Sequence, residues 1–175
     1  MSIETRNFIA GQWMDSRDHV ENINPSDLSD VIGRHAQADF AQLDQAIDAA
    51  RIAQRQWWNA GIQKRHDVLM AIGNALMAQS GEIGTLLSRE EGKPLAEGKG
   101  EVYRAGQFFT YFAAEALRQI GDYAQSVRPG IEIDVRREPV GVVGIISPWN
   151  FPLATPAWSG NPPILRRPVP PRWQG

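Results

Sequence analysis

The sequence predicts an α/β fold, and three observations carry that prediction. Val140 to Ser147 is an apolar, β-branched run with two glycines and no charge, as in a strand buried on both faces of a parallel sheet. Upstream of it, apolar residues recur at spacings of three and four, the period of amphipathic helices. Between the two regions, Ile131, Ile133 and Val135 alternate with Glu132, Asp134 and Arg136, the period of a strand with one wet face. A chain of 175 residues is long enough for one domain with a sizeable core.

The composition excludes several function classes. A net charge of −2 argues against nucleic acid or an anionic membrane surface as partner. No apolar run approaches the roughly 20 residues that span a bilayer. The N-terminus has no basic segment leading into an apolar one, so no signal peptide is expected and the expected compartment is the cytoplasm. The cysteine count is zero, which removes disulfides, thiolate metal sites and a cysteine nucleophile from this chain. His19, His35 and His66 stand apart from any second ligand at metal spacing, so no metal site is expected.

The elements follow in order. Phe8-Ile9-Ala10-Gly11-Gln12-Trp13 predicts a tight hairpin turning at Gly11. Asn22 to Ser26 reads as a turn and Val31-Ile32-Gly33 as a short strand. Asp39 with Gln42 three residues on has the form of a capping box. The helix it opens carries Leu43, Ala46, Ile47, Ala50, Ala53 and Trp57 on one stripe. A second helix is expected over 63–80, interrupted by Gly81 and Gly84 and ended at Gly92-Lys93-Pro94. A third places Leu95, Gly98, Val102, Ala105, Phe109, Phe112 and Ala116 in a narrow seam suited to lengthwise packing on another helix. Gly98, Gly100 and Gly106 inside it predict close helix approach, since each costs about 1 kcal/mol relative to alanine. Glu90-Glu91-Gly92-Lys93-Pro94 reads as a structural turn, because nothing else polar converges there in the sequence.

The chemistry concentrates at the end of the apolar run, in Ser147-Pro148-Trp149-Asn150-Phe151-Pro152. Two prolines force the chain out of a sheet there, and Pro152 suits the first position of a following helix. A buried strand that ends in a polar turn and then a helix is where α/β proteins place ligands. In that turn only Asn150 has a carboxamide able to donate to a bound oxygen. It also suits the cap of the following helix.

Glu138 to Leu153, EPVGVVGIISPWNFPL, resembles the NAD(P)-dependent aldehyde dehydrogenase superfamily. The Phe8–Trp13 segment and Glu90-Glu91-Gly92-Lys93-Pro94 agree with it in order and spacing. The resemblance spans residues 1–158 and implies the N-terminal part of that fold, truncated: a helical layer, an oligomerisation hairpin at about 123–137 and the first strand of a Rossmann-like sheet. It implies oxidation of a small-molecule aldehyde, with a lean towards semialdehydes, using NAD or NADP. Such an enzyme works through a cysteine nucleophile, a glutamate-activated water and a nicotinamide, usually as a homo-oligomer. Residue by residue, Asn150 matches the asparagine that donates to the developing oxyanion. Ile146, Ser147, Pro148 and Trp149 match the segment that contacts the cofactor. Phe151, Ala154, Thr155 and Trp158 match positions at or near the substrate tunnel.

The tail 159–175 departs from that pattern. It holds five of the twelve prolines, three arginines and no acid, a composition that excludes a helix or central strand and fits polyproline II or disorder. A frameshift or premature end would produce such a change. Without the cysteine, and without the glutamate and adenosine-binding motifs, the chain is expected to be inactive by itself. The rival readings are a non-catalytic oligomerisation module and an adaptor using Pro168-Val169-Pro170-Pro171 as a proline-groove ligand.

Overall fold

The structure is a computed structural model that describes residues 3–118, 121–160 and 167–168. Three short strands open the chain: β1 (Ile3–Thr5), β2 (Asn7–Ile9) and β3 (Gln12–Met14). The β2–β3 connection is the expected hairpin, with Ala10 and Gly11 both at positive φ (52° and 80°). That pair of left-handed residues makes a two-residue turn whose twist matches its strands. β4 (Asp18–Ile23) and β5 (Val31–Gln37) pair antiparallel, and β1 pairs parallel to β5. β5 runs longer than the sequence predicts, and β4 is a strand that the sequence reading does not include. Asn22 and Ile23, expected in a turn, end β4 at a register shift. The turn itself lies beyond them, closed by Asn24 N–H to the Asp30 carbonyl at 3.0 Å.

The helical layer is α1 (Phe40–Asn59), α2 (Gly61–Ala78), α3 (Ser80–Glu91) and α4 (Leu95–Leu117). Asp39 caps α1 by accepting from the Gln42 N–H at 2.8 Å. The capping box is only half formed, because the Gln42 side chain is drawn to the Asp15 carbonyl and the Asn7 amide instead. The break after α2 falls at Gln79, not at Gly81 or Gly84, which lie inside α3. Gly84 sits there because α4 crosses over it: a Cβ on Gly84 would lie 2.5 Å from the Lys99 Cα. The Gly92 turn ends α3 at a φ of 75°, a conformation open to glycine at little cost.

α4 is the axis of the molecule, packed against α2, α3 and the short α5 (Ala154–Gly160). Most of the predicted seam is its buried face: Gly98, Val102, Ala105, Phe112 and Ala116 are buried, while Phe109 is half-buried and Leu95, in the first turn, is exposed. Beyond α4, β6 (Asp122–Gln125) and β7 (Glu132–Val135) form an antiparallel hairpin where the alternating pattern places a strand. β8 (Arg137–Glu138) pairs with β9 (Arg167–Pro168).

Two expectations are corrected. Val140 to Ser147 forms no strand, and Val140, Val142, Val143 and Ile145 are each more than two-fifths exposed. A strand is stable only when neighbours supply its ladder bonds and layers cover its faces. Among the described residues no strand lies beside it, and it faces α1 across an open apolar cleft whose walls also include Lys64 and Arg65 of α2 and Gly160 of α5. The expected helix start at Pro152 is displaced to Ala154, and that helix runs through Ser159 and Gly160, the first two residues of the tail expected to be non-helical. Of the proline-rich remainder, 161–166 and 169–175 lie outside the described residues, and most of the Pro168–Pro171 motif with them.

Candidate functional site

The Asn150 turn is held by two charged side chains from α4 and the turn before it. Glu101 is an acid on the buried side of a helix, with its side chain 2% exposed. Its Oε1 accepts from the backbone N–H groups of Leu153 and Ala154, both at 3.0 Å. Its Oε2 accepts from Lys93 Nζ at 2.6 Å. Lys93 also pairs with Glu91 at 2.7 Å and donates to the Asn150 carbonyl at 3.1 Å. The ammonium lies 4.8 Å from the centre of the Phe151 ring.

Each contact has a local cause. Pro152 has no N–H to offer, so Leu153 and Ala154 carry the first free amides of the α5 entry, and a carboxylate satisfies them. Glu101 thus caps α5 from another helix, a role the sequence suggested for Asn150. Lys93 projects from the Gly92–Pro94 turn, whose left-handed glycine returns the chain so that α4 runs back past α3. Burial pulls the Lys93 pKa down, but the hydrogen bonds to Glu101 and Glu91 outweigh it and the net shift is upward. The ammonium is therefore held charged. Removing one member of such a buried set leaves an unpaired charge, at a cost of about 3–5 kcal/mol.

The expectation that nothing polar converges on Glu90-Glu91-Gly92-Lys93-Pro94 is thereby overturned. Polar groups from positions far apart in the chain meet Lys93, and sequence spacing along one segment does not show such a meeting. One signal was present. Glu101 stands beside the apolar seam of α4, between Gly98 and Val102, where an acid is retained only if it is paired.

The other predicted residues fall on both sides of this cluster. Trp149 and Asn150 line the wall of an open cleft of about 830 Å³, with Asn22, His35, Glu90 and Pro152. Trp149 is 85% exposed, and the Asn150 carboxamide has no hydrogen-bond partner among the described residues. Ser147 is half-buried, while Pro148 and Ile146 are exposed. Trp158 turns away from the cleft and packs edge-on against Phe108 and Phe112, at centroid distances of 4.9 and 5.4 Å. Phe151 is half-exposed beside Lys93, and Thr155 closes the first turn of α5 through its N–H to the Phe151 carbonyl. Ala154 is buried. The structure therefore groups Trp149, Asn150 and Phe151, and sets Trp158 apart in the packing of α5 on α4. Among the described residues no cluster of His, Asp or Glu has metal-site geometry, and no helix is long and apolar enough to cross a membrane.

Comparison with known proteins agrees with this layout. The model of the aldehyde dehydrogenase family matches residues 13–166, which carries the likeness past Trp158. The chain is 35% identical to the alpha-ketoglutaric semialdehyde dehydrogenase of Bacillus subtilis, over 91% of this chain and 33% of the relative. It is 33% identical to the succinate semialdehyde dehydrogenase of Acinetobacter baylyi, over 93% of this chain and 35% of the relative. The crystal structure of an aldehyde dehydrogenase from Brucella melitensis superimposes with a TM-score of 0.87 at 33% identity, over 91% of this chain and 33% of that one. An NADP-dependent enzyme from E. coli gives 0.87 at 31%, over 92% and 34%. An NAD-dependent aldehyde dehydrogenase from Sinorhizobium meliloti gives 0.83 at 27%, over 90% and 32%. The homologues are thus NAD- or NADP-dependent, and the chain spans about a third of the length of the relatives it matches. With the family model matching from Trp13 to Arg166 and the fold shared with those enzymes, this chain belongs to the aldehyde dehydrogenase family.

Proposed function

We propose that this chain supplies the oxyanion-stabilising part of an enzyme that oxidises a semialdehyde to a carboxylic acid with NAD or NADP. The observation that carries the proposal is Asn150: its backbone is gripped by Lys93 while its carboxamide stays free at the wall of a cleft. A preorganised donor placed where negative charge develops is worth about 3–4 kcal/mol in the transition state. Glu101 fixes the amides that follow Asn150, so the donor does not have to be ordered during the reaction.

The nicotinamide, when bound, supplies the hydride acceptor. The residues proposed to contact it, Ile146 to Trp149, fit that role in two respects. They form no strand ladder, which leaves backbone groups open, and Trp149 offers an exposed ring. Phe151 and Trp158 are assigned to the substrate side, Phe151 nearer the cleft. The chemistry proposed needs a cysteine nucleophile, and this chain has none. The 175 residues alone are therefore inactive in this reading. It places the protein in the cytoplasm, with the 122–135 hairpin as its homo-oligomerisation surface.

The test is a hybrid in which residues 1–160 replace the matching segment of the Bacillus subtilis relative. The hybrid should reduce NAD(P) in the presence of a semialdehyde, and the purified 175-residue chain should not. Asn150→Ala in the hybrid should lower kcat by about 10²–10³-fold. An active hybrid indifferent to that change, or NAD(P)H formation by the chain alone, would refute the reading.

A further inference from the structure

We propose that Lys93 and Glu101 are positioning residues that set the direction of the Asn150 carboxamide by clamping the backbone at Asn150 and in the turn just after it. The proposal rests on the assignment of Asn150 as the oxyanion donor. Its grounds are geometric. Lys93 Nζ holds the Asn150 carbonyl at 3.1 Å, and Glu101 Oε1 holds the Leu153 and Ala154 amides, three and four residues on, at 3.0 Å. The two clamps are themselves joined by the 2.6 Å bond from Lys93 to Glu101 Oε2.

The consequence follows from the covalent geometry of asparagine. Its carboxamide lies only two rotatable bonds from its own backbone, so fixing its carbonyl and the succeeding amides limits where the N–H₂ group can reach. A small rotation of this peptide plane swings the donor by a comparable amount, and misplacement of about 1 Å is enough to cost about 10²-fold in rate. Lys93 and Glu101 touch backbone atoms and each other, so the described contacts give them leverage over the turn itself. The Glu91 carboxylate steadies the ammonium and completes the set.

The test has two parts, each decisive by itself. In the full 175-residue chain, amide hydrogen exchange is followed residue by residue for wild type, Lys93→Met and Glu101→Gln. The expected result is exchange at Leu153 and Ala154 that accelerates at least tenfold more than at the Ala105 and Ala113 amides of α4 in both variants. Acceleration spread evenly along α4, or none at Leu153 and Ala154, would overturn the clamp. In the hybrid enzyme, Lys93→Met should lower kcat by ten- to a hundredfold while KM stays within twofold. The same change in an Asn150→Ala background should cost no more than twofold further, because the residue it positions is gone. A full, independent loss in both backgrounds would overturn the positioning role and leave the oxyanion assignment intact. An active hybrid in which Asn150→Ala has no effect would instead remove the reading on which the proposal stands. Glu101→Asp, which keeps the charge on a shorter arm, should recover part of the activity that Glu101→Gln loses.

Discussion

Asp30 receives the Arg89 guanidinium through two bonds, Nε at 2.9 Å and Nη2 at 2.6 Å, with the Asn24 amide at 3.1 Å. These partners, Arg89 first, hold its pKa at about 2, below the ordinary 3.8. Because the folded value is the lower one, the unfolded chain takes up the proton more readily as acid is added. The stabilisation is complete above about pH 4 and is lost as pH falls towards 2. A urea titration should show the midpoint of wild type falling over that window, and Asp30→Asn should flatten the fall. An unchanged slope in the variant would assign the acid sensitivity to other carboxylates. Lys93 acts at the opposite extreme. Its folded pKa is raised, so its contribution is complete below the lysine range and is lost only as pH climbs through the raised value. The grip on Asn150 is therefore intact throughout the neutral range.

The helices meet through glycines, and the contacts separate glycines that matter from those that do not. A Cβ on Gly73 would lie 2.7 Å from the Gly106 carbonyl oxygen, and one on Gly106 would lie 2.7 Å from the Gly73 carbonyl oxygen. Backbone sits on both sides of that crossing, so α2 and α4 would have to separate. Gly106→Ala should destabilise the protein by about 1–3 kcal/mol, as overpacking does. Gly100 has nothing within 4 Å of its would-be Cβ, so Gly100→Ala should stabilise by about 0.5–1 kcal/mol through helix propensity. Thermal melts of the two variants check this, and the same sign for both would contradict the packing. The contrast also marks how far the sequence could be read. The seam of α4 was legible because period alone sets which residues share a face; Gly98 lies on it and Gly106 beside it, both buried. Gly100 looked the same in sequence and is not at a crossing, because facing direction depends on where α2 and α3 lie. The turn at Asn150 was legible from its prolines. Lys93 was not, and Glu101 was legible only as an acid beside the seam, because a carboxylate on α4 meets amides more than fifty residues away only once the helices are packed.

At the scale of the whole molecule, the apolar run before that turn is the part of the sequence that local rules described least well. Its residues have the composition of a buried strand, yet composition supplies neither ladder partners nor covering layers. The described residues leave it facing α1 across an apolar cavity of about 650 Å³, whose walls include Ala53, Trp57, Val142, Val143 and Ile145. The stripe on α1 shares this fate: none of its residues is buried, although its spacing is that of a core-facing helix. Two apolar faces that match each other in pattern are thus both open, and open faces of this size bind apolar surfaces and promote association. The 175-residue chain should therefore bind a hydrophobic dye such as ANS at neutral pH and should sediment with a concentration-dependent mass. Val143→Lys puts a charge on the wall of both α1-facing clefts, where Val143 is already 42% exposed. That variant should bind less than half as much dye while its melting temperature stays within about 2 °C, since a half-exposed valine contributes little to folding. In the hybrid enzyme, where the matching partner segments are present, dye binding should be weak and Val143→Lys should instead lower the melting temperature. Equal dye binding by chain and hybrid would mean that the faces are closed by something other than those segments.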